Sequence, residues 1–176
     1  MDKKRILRGL GLLLLLAVII GLDRWTKIYV REHIHFTDNI FVIKNFFTIT
    51  RVENTGAFLS LGDSLHNPWR FILLALLPSL ALAWGLLYVL LKNNLTLLNQ
   101  LGIITILAGG IGNLYDRIMY GSVTDFAHLN FHIFQTGVFN VADVAIMIGV
   151  GVLLLNAYLR ERDEKKRAKD EEAVTV

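Results

Sequence analysis

Four long stretches of the chain are almost free of charged side chains, and this feature limits the possible folds more than any other. They cover about residues 6–22, 71–91, 95–115 and 141–159. About 20 predominantly apolar residues form a helix long enough to cross ~30 Å of hydrocarbon, so each stretch is predicted to span a membrane. The composition agrees, because 54% of the residues are hydrophobic and only 19% are charged, against roughly a quarter charged in soluble domains.

Polar residues inside these stretches mark local exceptions to the pattern. Pro78 lies near the middle of the second stretch and is expected to kink that helix without ending it, because neighbouring helices can satisfy the freed carbonyl. The third stretch holds Asn99, Gln100 and Asn113, and the fourth holds a single charged residue, Asp143.

Basic residues indicate the orientation of the spans. They precede the first stretch, follow the last one and include Lys92 between the second and third, so both termini are predicted to be cytoplasmic. No small-x-small cleavage site follows the first stretch, which is therefore predicted to be a retained anchor. Residues 1–160 form one four-span membrane domain in this interpretation, residues 161–176 form a cytoplasmic tail, and segments 23–70 and 116–140 lie outside.

The larger outer segment carries its own secondary-structure signals. Trp25, Ile28 and Tyr29 have the spacing of an apolar helical stripe and predict a helix at the membrane interface. β-Branched and aromatic residues over 40–52 predict strands, and residues 54–56 predict a turn. The expected fold class is a mainly α-helical membrane protein with four transmembrane helices, a small extracytoplasmic β-sheet cradle and an interfacial helix.

Composition also excludes some chemistry. The chain contains no cysteine, which rules out disulfides, thiolate metal sites and a cysteine nucleophile. Its net charge of +3 is interpreted as basic loops facing anionic lipid, and no nucleic-acid partner is expected.

Asp143 requires an explanation, because a carboxylate within a span costs a few kcal/mol on insertion scales. If Asn140 caps the fourth helix, Asp143 occupies its third position, where a carboxylate also serves as an ordinary capping residue. Asp125 lies between β-branched and aromatic residues in the short outer segment, where it is either functional or a simple turn residue.

The short connection between the last two spans allows Asp125 and Asp143 to approach each other just above the hydrocarbon. Two adjacent carboxylates share one proton, because both cannot ionise easily. One can then activate water while the other protonates a leaving amine, which is the chemistry of aspartic peptidases. Spacing alone supports this pairing only weakly.

Other polar residues allow two interpretations each. Asp23 and Lys27 form either an ordinary helical ion pair or a clamp on a polar ligand. Arg117 is expected to pair with the adjacent Asp116, and the segment 53–58 is either a turn or an edge that binds an extended peptide.

The same holds for the helix ends beside the two aspartates. Asn113 and Asn140 either bind a substrate carbonyl or satisfy helix termini, and the glycines in 109–112 either allow close helix packing or serve substrate access.

Taken in order, these motifs resemble those of the lipoprotein signal peptidases, also called signal peptidase II. The resemblance extends from Asp23 to Ile146, and its elements are Asp23-Arg24-Trp25-Thr26-Lys27, Glu53-Asn54-Thr55-Gly56-Ala57-Phe58, Gly109-Gly110-Ile111-Gly112-Asn113-Leu114-Tyr115-Asp116-Arg117, residues 121–126, and Phe139-Asn140-Val141-Ala142-Asp143.

The resemblance implies an aspartic endopeptidase that removes signal peptides from prolipoproteins before the diacylglyceryl-modified cysteine, with Asp125 and Asp143 as the catalytic pair. It further implies a mobile interfacial helix, no metal or cofactor, inhibition by globomycin-type cyclic peptides, and action as a monomer in the bacterial inner membrane. Residues implied to line the substrate site are Asn54, Gly56, Asn113, Arg117, Asn140 and Ala142. Residues implied to support it are Asp23, Lys27 and Asp116.

Three positions depart from the usual family pattern. Arg24 stands where the family often has Gln, Phe58 where it has a second Ala, and Thr124 where it commonly has Val. None of these removes a proposed catalytic group, although each bears on the shape of the substrate groove.

The residues fit functions of other classes less well. A small transporter or proton relay would use intramembrane Asp, Asn and Gln, but the charges cluster at one interface and none lies at mid-span. A metal-dependent phosphotransferase would need several carboxylates on adjacent turns, which the spacing of the aspartates does not supply. Motifs of serine and zinc peptidases are absent from the sequence, and His128 and His132 could bind a metal only if they lay on one helix.

Overall fold

The computed structural model describes residues 3–56, 66–92 and 94–174, so the motif positions Ala57 and Phe58 lie outside the described residues. The elements follow in the order α1 (Lys3–His33), β1 (Asn39–Ile43), β2 (Phe47–Asn54), α2 (Trp69–Phe71), α3 (Leu77–Leu91), α4 (Leu97–Tyr120), β3 (Val123–Leu129) and α5 (Val141–Val174). A π-helical turn, Ile72–Leu76, joins α2 to α3. By length and composition, four helices can cross a membrane, which confirms the predicted fold class.

Pro78 does not end the second membrane-spanning helix, as expected. The backbone is helical from Trp69 to Leu91, and the π-helical turn lies immediately before the proline-containing turn of α3. Ser79 Oγ donates to the carbonyl of Ala75 at 2.7 Å. This contact satisfies a backbone acceptor next to the proline, as hydroxyl side chains commonly do in membrane helices.

Three helices extend beyond the predicted spans. α1 continues to His33, so Trp25, Ile28 and Tyr29 lie on its final turns and the described part of segment 23–70 contains no separate interfacial helix. α4 continues to Tyr120, and α5 remains helical as far as Val174. These helices continue past the hydrophobic stretches because the polar residues that end a hydrophobic run do not end a helix.

Helix α4 lies at the centre of the bundle and packs against α1, α3 and α5. Glycines on both α4 and α5 allow the close approach of these two helices. A Cβ atom at Gly109 would overlap the carbonyl oxygen of Ala142, and one at Gly149 would lie 2.6 Å from the carbonyl oxygen of Gly102. Small residues let membrane helices approach closely in this way, so the contact at Gly109 agrees with packing, one of the two roles considered for the glycines in 109–112.

The three strands form an antiparallel sheet in the order β1-β2-β3. β1 and β2 are the strands predicted over 40–52, whereas β3 was not predicted. In the β2–β3 pair, Val52 lies opposite Asp125 and Glu53 lies opposite Thr124, just after an irregularity between Ile49 and Val52. Ala127 of β3 also bridges Phe139, which brings the start of α5 beside the strand that carries Asp125.

Candidate active site

Asp125 is positioned by strand β3 and held by two amides. It lies on the strand and not in a turn, so the alternative that Asp125 is a simple turn residue does not hold. Asn140 Nδ2 donates to Asp125 Oδ1 at 2.6 Å, and Asn54 Nδ2 donates to Oδ2 at 3.1 Å. The residue is only 4% exposed. Both carboxyl oxygens therefore face protein donors.

Asp143 is positioned by the first turn of α5. Asn140 Oδ1 accepts from the Asp143 backbone N–H at 3.0 Å, and Asp143 Oδ2 accepts from the Asn140 backbone N–H at 3.1 Å. This reciprocal pair is a capping box, with Asn140 at the N-cap as predicted. Asp143 Oδ1 accepts a third bond, from Asn113 Nδ2 at 2.8 Å. The cap thus uses only Oδ2 of the Asp143 carboxylate and fixes its position, while Oδ1 remains available to the side chain of Asn113.

The two aspartates meet around Asn140. Its Nδ2 donates to Asp125 Oδ1 and, at 3.1 Å, to Asn113 Oδ1, while Asn113 Nδ2 reaches Asp143. Burial and, second, the neighbouring charge of Asp143 raise the pKa of Asp125 from 3.8 to about 6, against the lowering effect of the Asn54 and Asn140 hydrogen bonds. A carboxyl group that titrates this close to neutrality can exchange a proton during a reaction.

Lys27 lies behind the two aspartates and fixes the orientation of Asn113. Its ammonium lies 2.8 Å from Asp23 Oδ2 and 3.2 Å from Asp116 Oδ2, and it donates to Asn113 Oδ1 at 2.8 Å. Asp23, Lys27 and Asp116 are completely buried. Asp23 Oδ1 also accepts from the Ala142 backbone N–H at 2.9 Å. These contacts connect α1, α4 and α5. The ion pair between Asp23 and Lys27 is therefore part of a buried cluster of charged side chains.

Arg117 does not pair with Asp116, so that expectation was wrong. Its Nη2 donates to the carbonyl of Gly56 at 3.0 Å, and its Nε is buried without a hydrogen-bond partner. The predicted turn forms after β2, where the Gly56 backbone N–H donates to Asn54 Oδ1 at 3.1 Å. Arg117 thus holds the turn that supplies Asn54 to Asp125.

The six predicted substrate-lining residues lie around the two aspartates, and four of them are buried. Asn113 is 8% exposed and Asn140 is 1% exposed, and Ala142 is fully buried with its N–H directed at Asp23. Gly56 is buried as well. In this structure the amides bond mainly to the carboxylates and to each other.

Sequence reasoning missed a set of polar residues beside Asp116. Arg24 forms an ion pair with Asp116, and Arg31 Nη2 lies 3.5 Å from Asp116 Oδ1. The Arg31 guanidinium also lies 3.6 Å from the centroid of the Tyr120 ring, a cation–π contact. Arg24, Lys27 and Arg31 recur at helical spacing on one face of α1, and this periodicity was the signal available in the sequence.

The structure also bears on the metal-dependent alternatives. Among residues 3–56, 66–92 and 94–174 there is no group of three or more His, Asp or Glu side chains arranged to hold a metal ion. Asp23 and Asp116 are each paired with Lys27. His128 lies on β3 and His132 lies in the following loop with a φ of 66°, so the two histidines do not share a helix.

Comparison with known proteins identifies the family. Residues 15–159 match the family described as signal peptidase (SPase) II. The chain belongs to the signal peptidase II family. It is 38% identical to the lipoprotein signal peptidase of Clostridioides difficile over 81% of this chain and 91% of the relative. It is 37% identical to that of Haemophilus influenzae over 93% of each chain.

Solved structures of bacterial membrane enzymes share the fold of this chain. A structure described as a bacterial membrane enzyme superimposes with a TM-score of 0.75 at 26% identity, covering 88% of this chain and 91% of the other. A second structure with the same description gives a TM-score of 0.72 over 84% and 92% of the two chains. The four helices and the sheet are therefore shared across most of both molecules.

Proposed function

We propose that Asp125 and Asp143 are the catalytic pair with which this multi-pass bacterial membrane peptidase removes signal peptides from prolipoproteins. The cleaved bond precedes the diacylglyceryl-modified cysteine. The observation that carries the assignment is the shared amide frame: Asn140 and Asn113 connect the two carboxylates, and burial and the charge of Asp143 raise the pKa of Asp125 to about 6.

A pair of this kind hydrolyses a peptide bond without a covalent intermediate. The ionised carboxylate takes a proton from water as the water oxygen attacks the scissile carbonyl carbon, and the protonated carboxyl gives its proton to the carbonyl oxygen. As the tetrahedral intermediate collapses, the first carboxyl gives the proton that it took from water to the leaving amine, and the carbon–nitrogen bond breaks. One hydroxyl of the intermediate returns its proton to the second carboxylate, so the pair again shares one proton. No cofactor takes part in this scheme.

Substrate binding is assigned to the residues that frame the pair: Asn54, Gly56, Asn113, Arg117, Asn140 and Ala142. The unpartnered Nε of Arg117 supports the assignment, because a buried donor without a partner gains a hydrogen bond when a substrate carbonyl arrives. Asp23, Lys27 and Asp116 support the frame from behind.

Orientation and partners complete the proposal. Basic residues in the first two turns of α1 and along the end of α5 favour cytoplasmic termini, and this orientation favours a position of the aspartates at the outer face. The exposed leucines of the spans, such as Leu14, Leu80 and Leu154, suit contact with lipid. The enzyme is proposed to act as a monomer and to be blocked by globomycin-type cyclic peptides that occupy the substrate site.

Two conservative variants test the catalytic assignment. Asp125→Asn and Asp143→Asn are expected to abolish cleavage of a diacylated precursor by purified enzyme while insertion and folding are retained. Asp163→Asn, on the exposed end of α5, is the matched control and should cleave normally. Substantial cleavage by either active-site variant, or loss of wild-type activity on adding a chelator, would contradict the assignment. Ion flux in proteoliposomes would favour a transporter instead.

A further inference from the structure

Glu53 connects the two strands that present the active-site residues. Its Oε2 accepts from Ser122 Oγ at 2.7 Å and its Oε1 accepts from Thr124 Oγ1 at 3.0 Å. These two hydroxyls lie at the start of β3, and Thr124 immediately precedes Asp125. The Glu53 carboxylate therefore forms two hydrogen bonds with the start of β3, close to Asp125.

Two arginines keep this carboxylate in the acceptor role. Arg51 Nε and Nη2 each lie 3.3 Å from Glu53 Oε1, and Arg31 Nε lies 3.8 Å from the same oxygen. Arg51 Nη1 also donates to the carbonyl of Arg31 at 2.9 Å, which ties β2 to the last turns of α1. An ionised carboxylate can only accept hydrogen bonds, so both hydroxyls must donate to it. Charge-assisted bonds of this kind are the stronger ones.

The position of Glu53 in the sheet separates it from the site of chemistry. Glu53 lies opposite Thr124, whereas Asn54 and Asp125 occupy the neighbouring positions of the two strands. Because successive side chains of a strand point to opposite faces, Glu53 and Thr124 share one face of the sheet. Asn54 and Asp125 share the other, where Asn54 Nδ2 reaches Asp125. Glu53 thus holds the strands from behind.

Regular backbone pairing between β2 and β3 is interrupted close to Asp125. The register shifts between Ile49 and Val52, directly before the position opposite Asp125. An interrupted ladder leaves strands locally less constrained. Asp143, in contrast, is fixed independently by the capping box of α5 and by Asn113. The separation of the two carboxylates therefore depends on how β3 is held.

We propose that Glu53 is a positioning residue for the catalytic pair: by holding Ser122 and Thr124, it sets where β3 presents Asp125 relative to Asp143. This inference rests on the proposed function. Glu53 does not touch the reacting atoms in this scheme. Its effect passes through the backbone of β3, so it governs the rate of the chemical step and not substrate affinity.

Steady-state kinetics on a diacylated precursor, with the purified full-length enzyme, tests this role. Glu53→Ala is expected to lower kcat at least about tenfold while KM changes less than about twofold, because an interaction that shapes only the transition state affects kcat alone. Glu53→Gln keeps one acceptor oxygen and should recover part of the rate. Glu32→Ala, at an exposed position near the end of α1, is the matched control and should behave as wild type.

A double-mutant cycle identifies the route of the effect. Thr124→Val removes one hydroxyl held by Glu53, so its loss of kcat should not add to that of Glu53→Gln; the double variant should be within about twofold of the slower single variant. Additive losses would mean that the two residues act separately and would overturn the proposal. If Glu53→Ala does not fold, the glutamine and valine variants still give this result.

Several results would overturn the positioning role of Glu53. A wild-type kcat in folded Glu53→Ala, or a raised KM at unchanged kcat, overturns the positioning role. A lower unfolding temperature with unchanged kcat shows a purely structural role and overturns it too. Asp125→Asn, assayed in parallel, separates the two proposals: its activity would refute the proposed function, whereas its inactivity beside a fully active Glu53→Ala would refute only the inference.

Discussion

Replacement of Asp125 by asparagine is expected to stabilise the protein while it removes activity. Burial first, and the charge of Asp143 second, raise the pKa of Asp125 from 3.8 to about 6. A pKa difference of this size corresponds to about 3 kcal/mol by which the folded protein is destabilised when the group must ionise. The residue is 4% exposed, so solvent screens little of this cost.

The gain is reduced by hydrogen bonding. The wild-type carboxylate accepts from Asn140 and Asn54 through its two oxygens, whereas an asparagine presents only one oxygen. The side-chain NH2 group of the new asparagine then faces the NH2 group of Asn54 or Asn140, and two donors in contact cost about 1 kcal/mol. A net stabilisation of roughly 2 kcal/mol therefore remains at neutral pH.

The pH dependence gives the effect a distinctive sign. Because the pKa of Asp125 is higher in the folded state, its contribution to stability is fully present below about pH 4 and is lost as the pH rises through about 6. Asparagine does not titrate. The variant should thus be no more stable than wild type at pH 4 and more stable at pH 8, with the difference growing mainly between pH 4 and pH 6.

Thermal unfolding of both proteins in the same detergent, at pH 4 and pH 8, measures this difference. A Tm that is higher for Asp125→Asn by several degrees at pH 8 only is the expected result. Asp163→Asn supplies the control, since its exposed carboxylate on α5 should give no such difference. An equal Tm difference at both pH values, or a variant less stable at pH 8, would refute the reasoning.

Other perturbations lead to equally specific outcomes. Asn54→Ala removes a hydrogen bond that lowers the pKa of Asp125, so the loss of kcat on the alkaline side should move to higher pH; an unchanged pH–rate profile would contradict this. Gly109→Ala should lower the unfolding temperature and reduce activity more than about tenfold, because its Cβ would overlap the carbonyl of Ala142 and displace α5. Gly151→Ala has nothing within 4 Å of its Cβ and serves as the control; similar behaviour of the two alanine variants would exclude the packing argument.

Hydropathy in the sequence marks the four apolar stretches, and the helices that contain them continue past several of their ends. Hydropathy identifies the four helices because a helix that crosses a membrane needs about 20 predominantly apolar residues. It does not mark where helical backbone stops. Trp25 and Tyr29 suggested a separate helix at the interface, yet α1 continues through them because nothing between the span and His33 breaks a helix. Similarly, Asp116 and Arg117 ended the third predicted span but lie within α4.

Local patterns predicted the site in part. The cap at Asn140 could be inferred because a helix terminus is a local structure, and the reciprocal bonds with Asp143 agree with it. Strand β3 was not recognised, although the residues around Asp125 are β-branched and aromatic, because a short segment between two spans was interpreted as a loop. Its partner is β2, far away in sequence. Pairing at such a distance leaves no local trace in one sequence.

The glycines of α4 show how packing and chemistry depend on each other in this fold. A Cβ at Gly112 would lie 2.5 Å from Asp23 Oδ2, the oxygen that pairs with Lys27. The absence of a side chain there lets α1 bring its ion pair against α4, and Lys27 then orients Asn113 toward Asp143. The attraction within a buried ion pair seldom exceeds the cost of removing both charges from water, so such a pair adds little to stability. This ion pair instead fixes the orientation of the Asn113 side chain, because Lys27 binds its oxygen and leaves its nitrogen facing Asp143.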